Sequence, residues 1–444
     1  MTSVLIANRG EIALRVIRAC RVMGLHTIAL YSTEDQDALY LRLADETICI
    51  GPGDPKKSYL SIPAIISAAE VCGANLVHPG YGFLSENADF AKQLQDSGFD
   101  LIGPSPEVIA LMGDKIAAKT RMKQSGLTCI PGSEGAVTSF MSAQIVAERI
   151  GFPLLLKASA GGGGRGMQVV RSMDQLEAQL NDVQREAKIL FNDDRVFMER
   201  YLDQPRHIEF QVLADKFGNV VCLGERDCSI QRRHQKIIEE AAAFGITRAQ
   251  RQAMMDQCIQ ACKAINYEGV GTFEFLYEGD EFYFIEMNTR IQVEHPVTEM
   301  VTGIDLIEEQ IKVFMGESLS IKQSDIKFKG HAIECRINAE DPKTMMPSPG
   351  IISDFHAPSG PGVRVDSHIY SGYRVPHHYD SMVAKIIVHG HDRQHAIRRM
   401  LQALDETIIE GIATNIPLLK SILNNKQFQD EEVSIKFLDQ YCDL

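Results

Sequence analysis

At its N-terminal end the chain alternates short apolar blocks with helical stripes. VLIA reads as a strand, GEIALRVIRACRVMG as an amphipathic helix closing at Gly24, and HTIALYS as the next strand. The rhythm repeats through IPAIISAAEVCG and ANLVHPG to DLIGPSPE, which predicts a parallel sheet with helices on its faces. Beyond it, KIAAKTRMKQSG reads as a helix, a Pro-Gly break runs from Ile130 to Gly132, and FPLLLKAS and MQVVRS read as two strands joined by glycines. From His207 the period becomes two. RHIEFQVLAD sends Ile208, Phe210 and Val212 to one face and His207, Glu209 and Gln211 to the other, so one face is wet or functional. GTFEFLYEGDEFYFIEMN alternates in the same way on both sides of a turn near Gly279, and HAIECRIN, GVRVDSHI and MVAKIIVHG are strands ahead of the helix DRQHAIRRMLQALDE. The pattern predicts a multidomain α/β and α+β chain: a parallel α/β domain over 1–114, a middle domain over 115–325 with a lid at about 131–201, and a mainly antiparallel β module over 330–444.

Composition narrows the classes of function. A hydrophobic fraction of 45% over 444 residues suffices for real cores, and a net charge of −14 argues against an extended nucleic-acid surface. The ten cysteines show no zinc spacing, and Cys258 with Cys262 falls on one helix face, so buried thiols in a reducing compartment are expected. The first strand begins almost at Met1 and no apolar run reaches membrane-spanning length. The expected location is the cytoplasm, with no membrane partner.

Within KASAGGGGRGM, Gly161, Gly163 and Gly166 match the G-x-G-x-x-G spacing of dinucleotide sites, but a strand rather than a helix follows. Backbone N–H groups of a glycine hairpin can close over phosphates, so the stretch points to a nucleoside triphosphate; a plain surface loop has the same composition. In the GTFEFL and FIEMN strands, a three-residue loop at Gly279 would set Glu274 opposite Glu286, on one face with Asn288. Two facing carboxylates repel unless a cation sits between them, and Mg²⁺ with phosphates would serve; alone, the pair also reads as two solvated glutamates. If the segment stays a strand, Arg290, Gln292 and Glu294 follow at two-residue steps, an arginine fork for bicarbonate or a carboxylate with a proton acceptor nearby. Lys115 and Lys157 are phosphate candidates or snorkelling stems, and Arg226, Arg232, Arg233, His234 and Lys236 make a local positive field that a triphosphate or plain solvent would equally accept. The Cys228 thiol within that stretch is expected to be structural. The turns NRGE and HPGYGFLSEN sit at strand ends, where such sheets bind ligands, though ordinary turn chemistry explains them too.

NRGEIALRVIRA, HPGYGFLSEN, LMGDK, GGGGRGM, ERDCSIQRRHQK, GTFEFL and IEMNTRIQVEHPVTE together resemble the biotin carboxylase family of ATP-grasp ligases, from end to end of the chain. The resemblance implies a Rossmann-like N-terminal domain, an ATP-grasp domain with a glycine-rich lid, and a C-terminal β module. It implies a reaction in which ATP phosphorylates bicarbonate to carboxyphosphate and N1 of biotin captures the released CO₂, with the lid shielding the intermediate from water. Carried onto this chain, it implies ATP contacts from Lys115, Lys157, Gly163, Gly164, Glu199, Arg200, Tyr201, Leu202, His207, Gln231, His234 and Leu276. It places Mg²⁺ or Mn²⁺ at Glu274, Glu286 and Asn288, and bicarbonate at Lys236, Arg290, Gln292 and Val293. Glu294 is implied as the base and Arg336 as the cation that meets the biotin enolate. AAAFGIT after Glu240 departs from a segment where family members often carry prolines.

No lysine flanked by methionines marks a biotinylated carrier here, so the chain is expected to work with a separate biotin carboxyl carrier protein and carboxyltransferase subunits. The resemblance further implies a homodimer serving bacterial-type acetyl-CoA carboxylase and fatty-acid synthesis. A pyruvate or other acyl carboxylase, a carboxylate–amine ligase, and a nucleotide-binding subunit with a dead site are the rival readings.

Overall fold

The computed structural model describes residues 2–158, 166–191 and 193–441. Gly163 and Gly164, with Gly161 of the glycine pattern, lie outside the described residues. The N-terminal strands β1 (Ser3–Ile6), β2 (His26–Tyr31), β3 (Glu46–Cys49), β4 (Leu76–His78) and β5 (Asp100–Leu101) form one sheet in the order β3-β2-β1-β4-β5, every pair parallel. β1, central and buried along its whole length, has no polar face to give away; this is why it reads as a continuous apolar run. The helices Gly10–Val22 and Ile62–Cys72 end where the sequence places their glycines: Gly24 and Gly73 both have positive φ.

Strands β6 (Leu154–Ala158), β7 (Met167–Val170) and β8 (Val196–Arg200) make a small antiparallel sheet in the order β7-β6-β8, as the FPLLLKAS and MQVVRS blocks predict. Helices Phe140–Ile150 and Met173–Phe191 supply the rest of its own small core, built on Leu154, Leu156, Leu176 and Val196. The third assembly is larger. Strands β9 (Arg206–Ala214), β10 (Val220–Arg232), β11 (Gln235–Ala241), β12 (Gly269–Glu278), β13 (Glu281–Asn288), β14 (His331–Asn338), β15 (Val363–Ser367) and β16 (Met382–Gly390) form one antiparallel sheet in the order β13-β12-β9-β10-β11-β14-β16-β15.

This sheet runs without a break across the expected boundary near residue 330, because β11 pairs with β14 through Ile238 opposite Cys335 and Glu239 opposite Glu334. The C-terminal strands therefore extend the middle sheet. Both faces of β9 are covered. Ile208, Phe210 and Val212 enter an aromatic core with Phe273, Phe275 and Phe284, while His207, Glu209 and Gln211 are equally buried on the other side. Cys258 and Cys262 are buried on the helix Arg248–Ala264, as expected. Among the described residues no helix is long and apolar enough to cross a membrane.

Candidate active site

A cavity of ≈ 1230 Å³ opens between the three assemblies, reaching Asn8 and Tyr81 in loops that follow strands of the N-terminal sheet, Lys157 of β6 and the polar face of the large sheet. Its floor is a row of ionic side chains running across four strands. Arg226 of β10 lies opposite Glu209 of β9, Glu209 opposite Glu274 of β12, and Glu274 opposite Glu286 of β13.

The Glu274–Glu286 pairing is the predicted one, but the turn is not. Glu278 pairs with Glu281 around a two-residue turn in which Gly279 and Asp280 have φ of 60° and 64°, the mirror-image conformation that matches strand twist. That turn alone would bring Glu274 against Ile285. A bulge in β13 shifts the register by one residue between Glu274 and Phe275 and restores Glu286 to the row.

Lys236 of β11 reaches over this row. Its Nζ donates to Glu209 Oε2 at 2.6 Å, Glu274 Oε1 at 2.9 Å and Glu294 Oε1 at 2.6 Å. Burial disfavours the ammonium, yet the three carboxylates hold its pKa well above the ordinary lysine value. Burial would equally raise the Glu274 carboxyl, but Lys236 and His207, whose Nε2 is 3.2 Å from Glu274 Oε2, hold it well below its usual range. Burial pushes the His207 imidazole down and Glu274 outweighs it, pulling the ring up to about 9. Asn288 Nδ2 and Gln292 Nε2 each donate to Glu274 Oε1 at 2.9 Å. The cation expected between the paired glutamates is thus supplied in part by the chain itself, on Glu274.

Glu286 has none. Among the described residues it makes no ion pair or hydrogen bond, and burial followed by the nearby Glu274 charge raises its pKa. With Glu274 and the Asn288 side-chain oxygen it forms a set of hard oxygen donors facing the cavity, which suits a magnesium ion and leaves its remaining positions to phosphate or water.

The segment after Asn288 is not the strand that the two-residue spacing suggests. β13 ends at Asn288, and residues 289–294 turn into the helix His295–Thr302, with Pro296 in its first turn. Only the turn lets Arg290, Gln292 and Val293 all line the cavity. Arg290 Nε donates to Glu86 Oε2 at 2.8 Å and its NH1 to Gln292 Oε1 at 3.0 Å. Glu294 sits at the start of the helix, fully buried behind the cavity wall, its Oε1 on Lys236 and its Oε2 accepting from Arg336 at 2.8 Å. Burial raises its pKa and Lys236, the largest opposing influence, brings the net shift down, so the carboxylate form is favoured. Arg336, on the β14 face away from Ile333, Cys335 and Ile337, lines the cavity and also donates from Nε to Glu239 Oε1 at 2.5 Å.

On the opposite wall Lys157 Nζ donates to Glu199 Oε2 at 2.5 Å, and Lys119 donates to the other oxygen. Burial raises the Glu199 carboxyl, but Lys157 and Lys119 together hold it at about 2. Tyr201, Gln231, His234 and Leu276 line the cavity. Lys115 stays exposed in the first turn of the helix Lys115–Gln124, outside the lining, and Arg200 is also exposed; Leu202 is buried away from the cavity.

Several participants escaped the sequence reading. Lys119, one helical turn beyond Lys115, is the lysine that meets Glu199. Glu86 belongs to HPGYGFLSEN, a turn left between ligand site and plain turn, which also delivers Tyr81, Gly82 and Phe83 to the cavity. Glu209 reads only as one polar position of an alternating strand. Arg226, grouped by sequence with a local positive field open to a triphosphate or to solvent, is completely buried and donates to Glu209, Gln211, Thr272 and Thr298. The Cys228 thiol is buried 3.8 Å from Glu294 Oε1, and burial followed by the Glu209 charge pushes it well above its usual pKa, in keeping with the structural role expected of it.

Comparison with known proteins adds the family. Residues 1–109 match the model of the biotin carboxylase N-terminal domain, 114–322 that of the carbamoyl-phosphate synthase L chain ATP-binding domain, and 334–440 that of the biotin carboxylase C-terminal domain. A biotin carboxylase of Haemophilus influenzae is 60% identical over 441 residues, which cover 99% of this chain and 98% of that one. Among solved structures, the biotin carboxylase–beta-gamma-ATP complex from Campylobacter jejuni superposes with a TM-score of 0.93 at 50% identity, covering 99% of both chains. The biotin carboxylase domain of a thermophilic 2-oxoglutarate carboxylase bound to bicarbonate gives 0.95 at 44% identity, covering 99% and 98%. Fold, ionic floor and full-length similarity lead to one assignment: this chain belongs to the biotin carboxylase family of ATP-dependent ligases.

Proposed function

We propose that this cavity carries out the ATP-dependent carboxylation of biotin by bicarbonate. The observation that carries the reading is the junction at Glu294: one buried carboxylate bonded on one oxygen to Lys236, among the inferred bicarbonate ligands, and on the other to Arg336, the inferred biotin contact. Lys236, Arg290, Gln292 and Val293 hold bicarbonate, the anion present in the thermophilic 2-oxoglutarate carboxylase structure. Glu294, kept ionised by its two cations, accepts the bicarbonate proton. The bicarbonate oxygen then attacks the γ-phosphorus of ATP, the bond to ADP breaks, and carboxyphosphate forms in a cavity where water is restricted. Carboxyphosphate divides into CO₂ and phosphate, the released phosphate takes the proton from N1 of biotin, and the resulting enolate, held against Arg336, attacks CO₂.

Lys157 and His207 face the nucleotide phosphates, with Lys119 and Glu199 around them; Tyr201, Gln231, His234 and Leu276 surround the rest of the nucleotide, and Lys115, Gly163, Gly164, Arg200 and Leu202 complete the ATP set that the family resemblance implies. Glu274, Glu286 and Asn288 would hold Mg²⁺ or Mn²⁺, which supplies charge neutralisation at the transferring phosphoryl group. Residues 1–114, 115–325 (lid about 131–201) and 330–444 are the working domain division. The biotin belongs to a separate carrier protein, carboxyltransferase subunits take the product onward, and the enzyme is a cytoplasmic homodimer serving malonyl-CoA synthesis. The likeness to the biotin carboxylase domain of a thermophilic 2-oxoglutarate carboxylase, at 44% identity, supports a different carboxyl acceptor as the second reading. Free biotin tests the reaction: ADP release that requires bicarbonate and is stimulated by biotin is expected, and ADP release indifferent to both would refute it. Capture of the biotinylated carrier from lysate, followed by identification of its carboxyltransferase, tests the acyl acceptor.

A further inference from the structure

Behind Arg336, away from the cavity, lies a second pair of facing carboxylates that the proposed reaction does not use. Glu239 of β11 and Glu334 of β14 are direct cross-strand partners, so their side chains share one face, with Cβ atoms about 4.5–5.5 Å apart in such pairs. Both residues are fully buried. Glu239 Oε1 accepts from Arg336 Nε; its Oε2 and both oxygens of Glu334 have no partner among the described residues. That is three buried carboxylate oxygens without a donor, on side chains that share one face of the same strand pair.

The surrounding charges do not supply a second positive partner. On β11 the neighbouring cation is Lys236, committed to Glu209, Glu274 and Glu294. On the far strand Lys385 Nζ donates to the Val293 carbonyl at 2.7 Å and lies 3.2 Å from Glu11 Oε1. Glu294 adds a further negative charge at Arg336, and the helix laid over this face brings His295, buried and held neutral, and Glu299, taken by Arg15 and Arg364. Around one guanidinium there are thus three carboxylates, Glu239, Glu294 and Glu334. Two facing buried carboxylates cannot both ionise at ordinary cost, and an ionised Glu334 would have no bonded cation.

Resting on the reading that Arg336 meets the biotin enolate, we propose that Glu239 and Glu334 share one proton and act as the positioning pair for Arg336. Glu334 retains the proton and Glu239 the charge, which fixes the guanidinium through Nε and leaves its outer edge for Glu294 and the substrate. Burial, opposed by Lys385 and reinforced by Glu239, holds Glu334 well above the carboxylate range, and burial, opposed by Arg336, raises Glu239 to about 7, in accord with a pair that keeps one proton. When alkaline pH removes that proton, the added negative charge competes with the enolate for Arg336, and biotin-dependent turnover falls.

The test uses the full chain with free biotin and compares Glu239→Gln, Glu334→Gln and Arg336→Gln. In Glu239→Gln, biotin-stimulated kcat is expected to fall about 10–100-fold, the range for a misplaced catalytic group, while KM for ATP and the slow bicarbonate-dependent ADP release without biotin stay near wild type. In Glu334→Gln, which carries no ionisable proton, the alkaline limb of the biotin-dependent pH–rate profile is expected to disappear. An unchanged alkaline limb in Glu334→Gln overturns the proposal, as does a biotin-stimulated kcat in Glu239→Gln equal to wild type. If Arg336→Gln itself retains full biotin stimulation, it is the underlying assignment of Arg336 that fails. Should Glu239→Gln fold poorly, the Glu334→Gln profile decides alone.

Discussion

Two lysine–carboxylate clusters face each other across the cavity, and they differ in burial more than in chemistry. On the small sheet, Lys157 and Lys119 share Glu199, with about a third of each lysine side chain exposed. On the large sheet, Lys236 shares Glu209, Glu274 and Glu294 with 12% of its side chain exposed and two of the three carboxylates fully buried. A cluster open to water can exchange partners at little cost, so Glu199 can release its lysines to a phosphate. A buried cluster cannot be opened without leaving charges stranded, so Lys236 and its carboxylates behave as one preformed unit. The wall that must adapt to a ligand is wet; the floor that must hold geometry is dry.

The largest expected effect comes from breaking the dry cluster. Lys236→Met should abolish turnover and cost about 3–5 kcal/mol of stability, since three carboxylates lose a common buried partner. Lys157→Met should cost less than about 1 kcal/mol and mainly raise KM for ATP. Urea unfolding and ATP titration of both variants measure the contrast, and equal destabilisation would erase it.

Glu294→Gln comes next. ATP binding by equilibrium dialysis should be nearly intact while bicarbonate-dependent ADP release falls about 10²–10⁴-fold. Full activity would remove Glu294 as the base. In Glu286→Gln the Mg²⁺ concentration needed for half-maximal activity should rise, because a floor carboxylate with no bonded cation among the described residues is lost; an identical metal titration would contradict its role.

The smallest effect is in acid. Glu240 of the large sheet, bound by Arg393 and His331, and Glu199 of the small sheet are both held at about 2 against an ordinary value of 4.5. For depressed carboxyls the stabilisation is present above pH 4.5 and is lost as pH falls toward 2. Glu240→Gln should therefore flatten the acid side of the stability–pH curve in that window, and Glu199→Gln should flatten it less because solvent screens its lysines. Thermal unfolding between pH 5 and 2 makes the comparison; a steeper fall in either variant would reverse the sign.

Much of this was legible residue by residue. The apolar runs of β1 and β2, the glycines that close their helices and the period-two pattern of β9 are local signals, and each appears where its pattern predicts. The motifs around Glu274 and Arg290 carried the family, and Arg336 came only with it. The two-residue turn at Gly279 with its bulge, and the turn into a helix at Glu294, were not legible, because a bulge and a helix start each change parity without altering composition. Lys119, Glu86 and Glu239 were missed for a related reason: each matters through a partner on a distant element.

The sequence by itself determined which segments are strands and helices, which face of each is apolar, and which residue types are available for phosphate, magnesium and bicarbonate chemistry. These follow from short-range sterics and from periodic burial, both written along the chain. Only the tertiary structure decided which charges meet. Whether Arg226 is a solvated cation or the buried support of Glu209, and whether Glu239 is an ordinary strand residue or the partner of Arg336, depends on neighbours brought from other strands and on the removal of water, because the strength of an ionic contact is set by its surroundings.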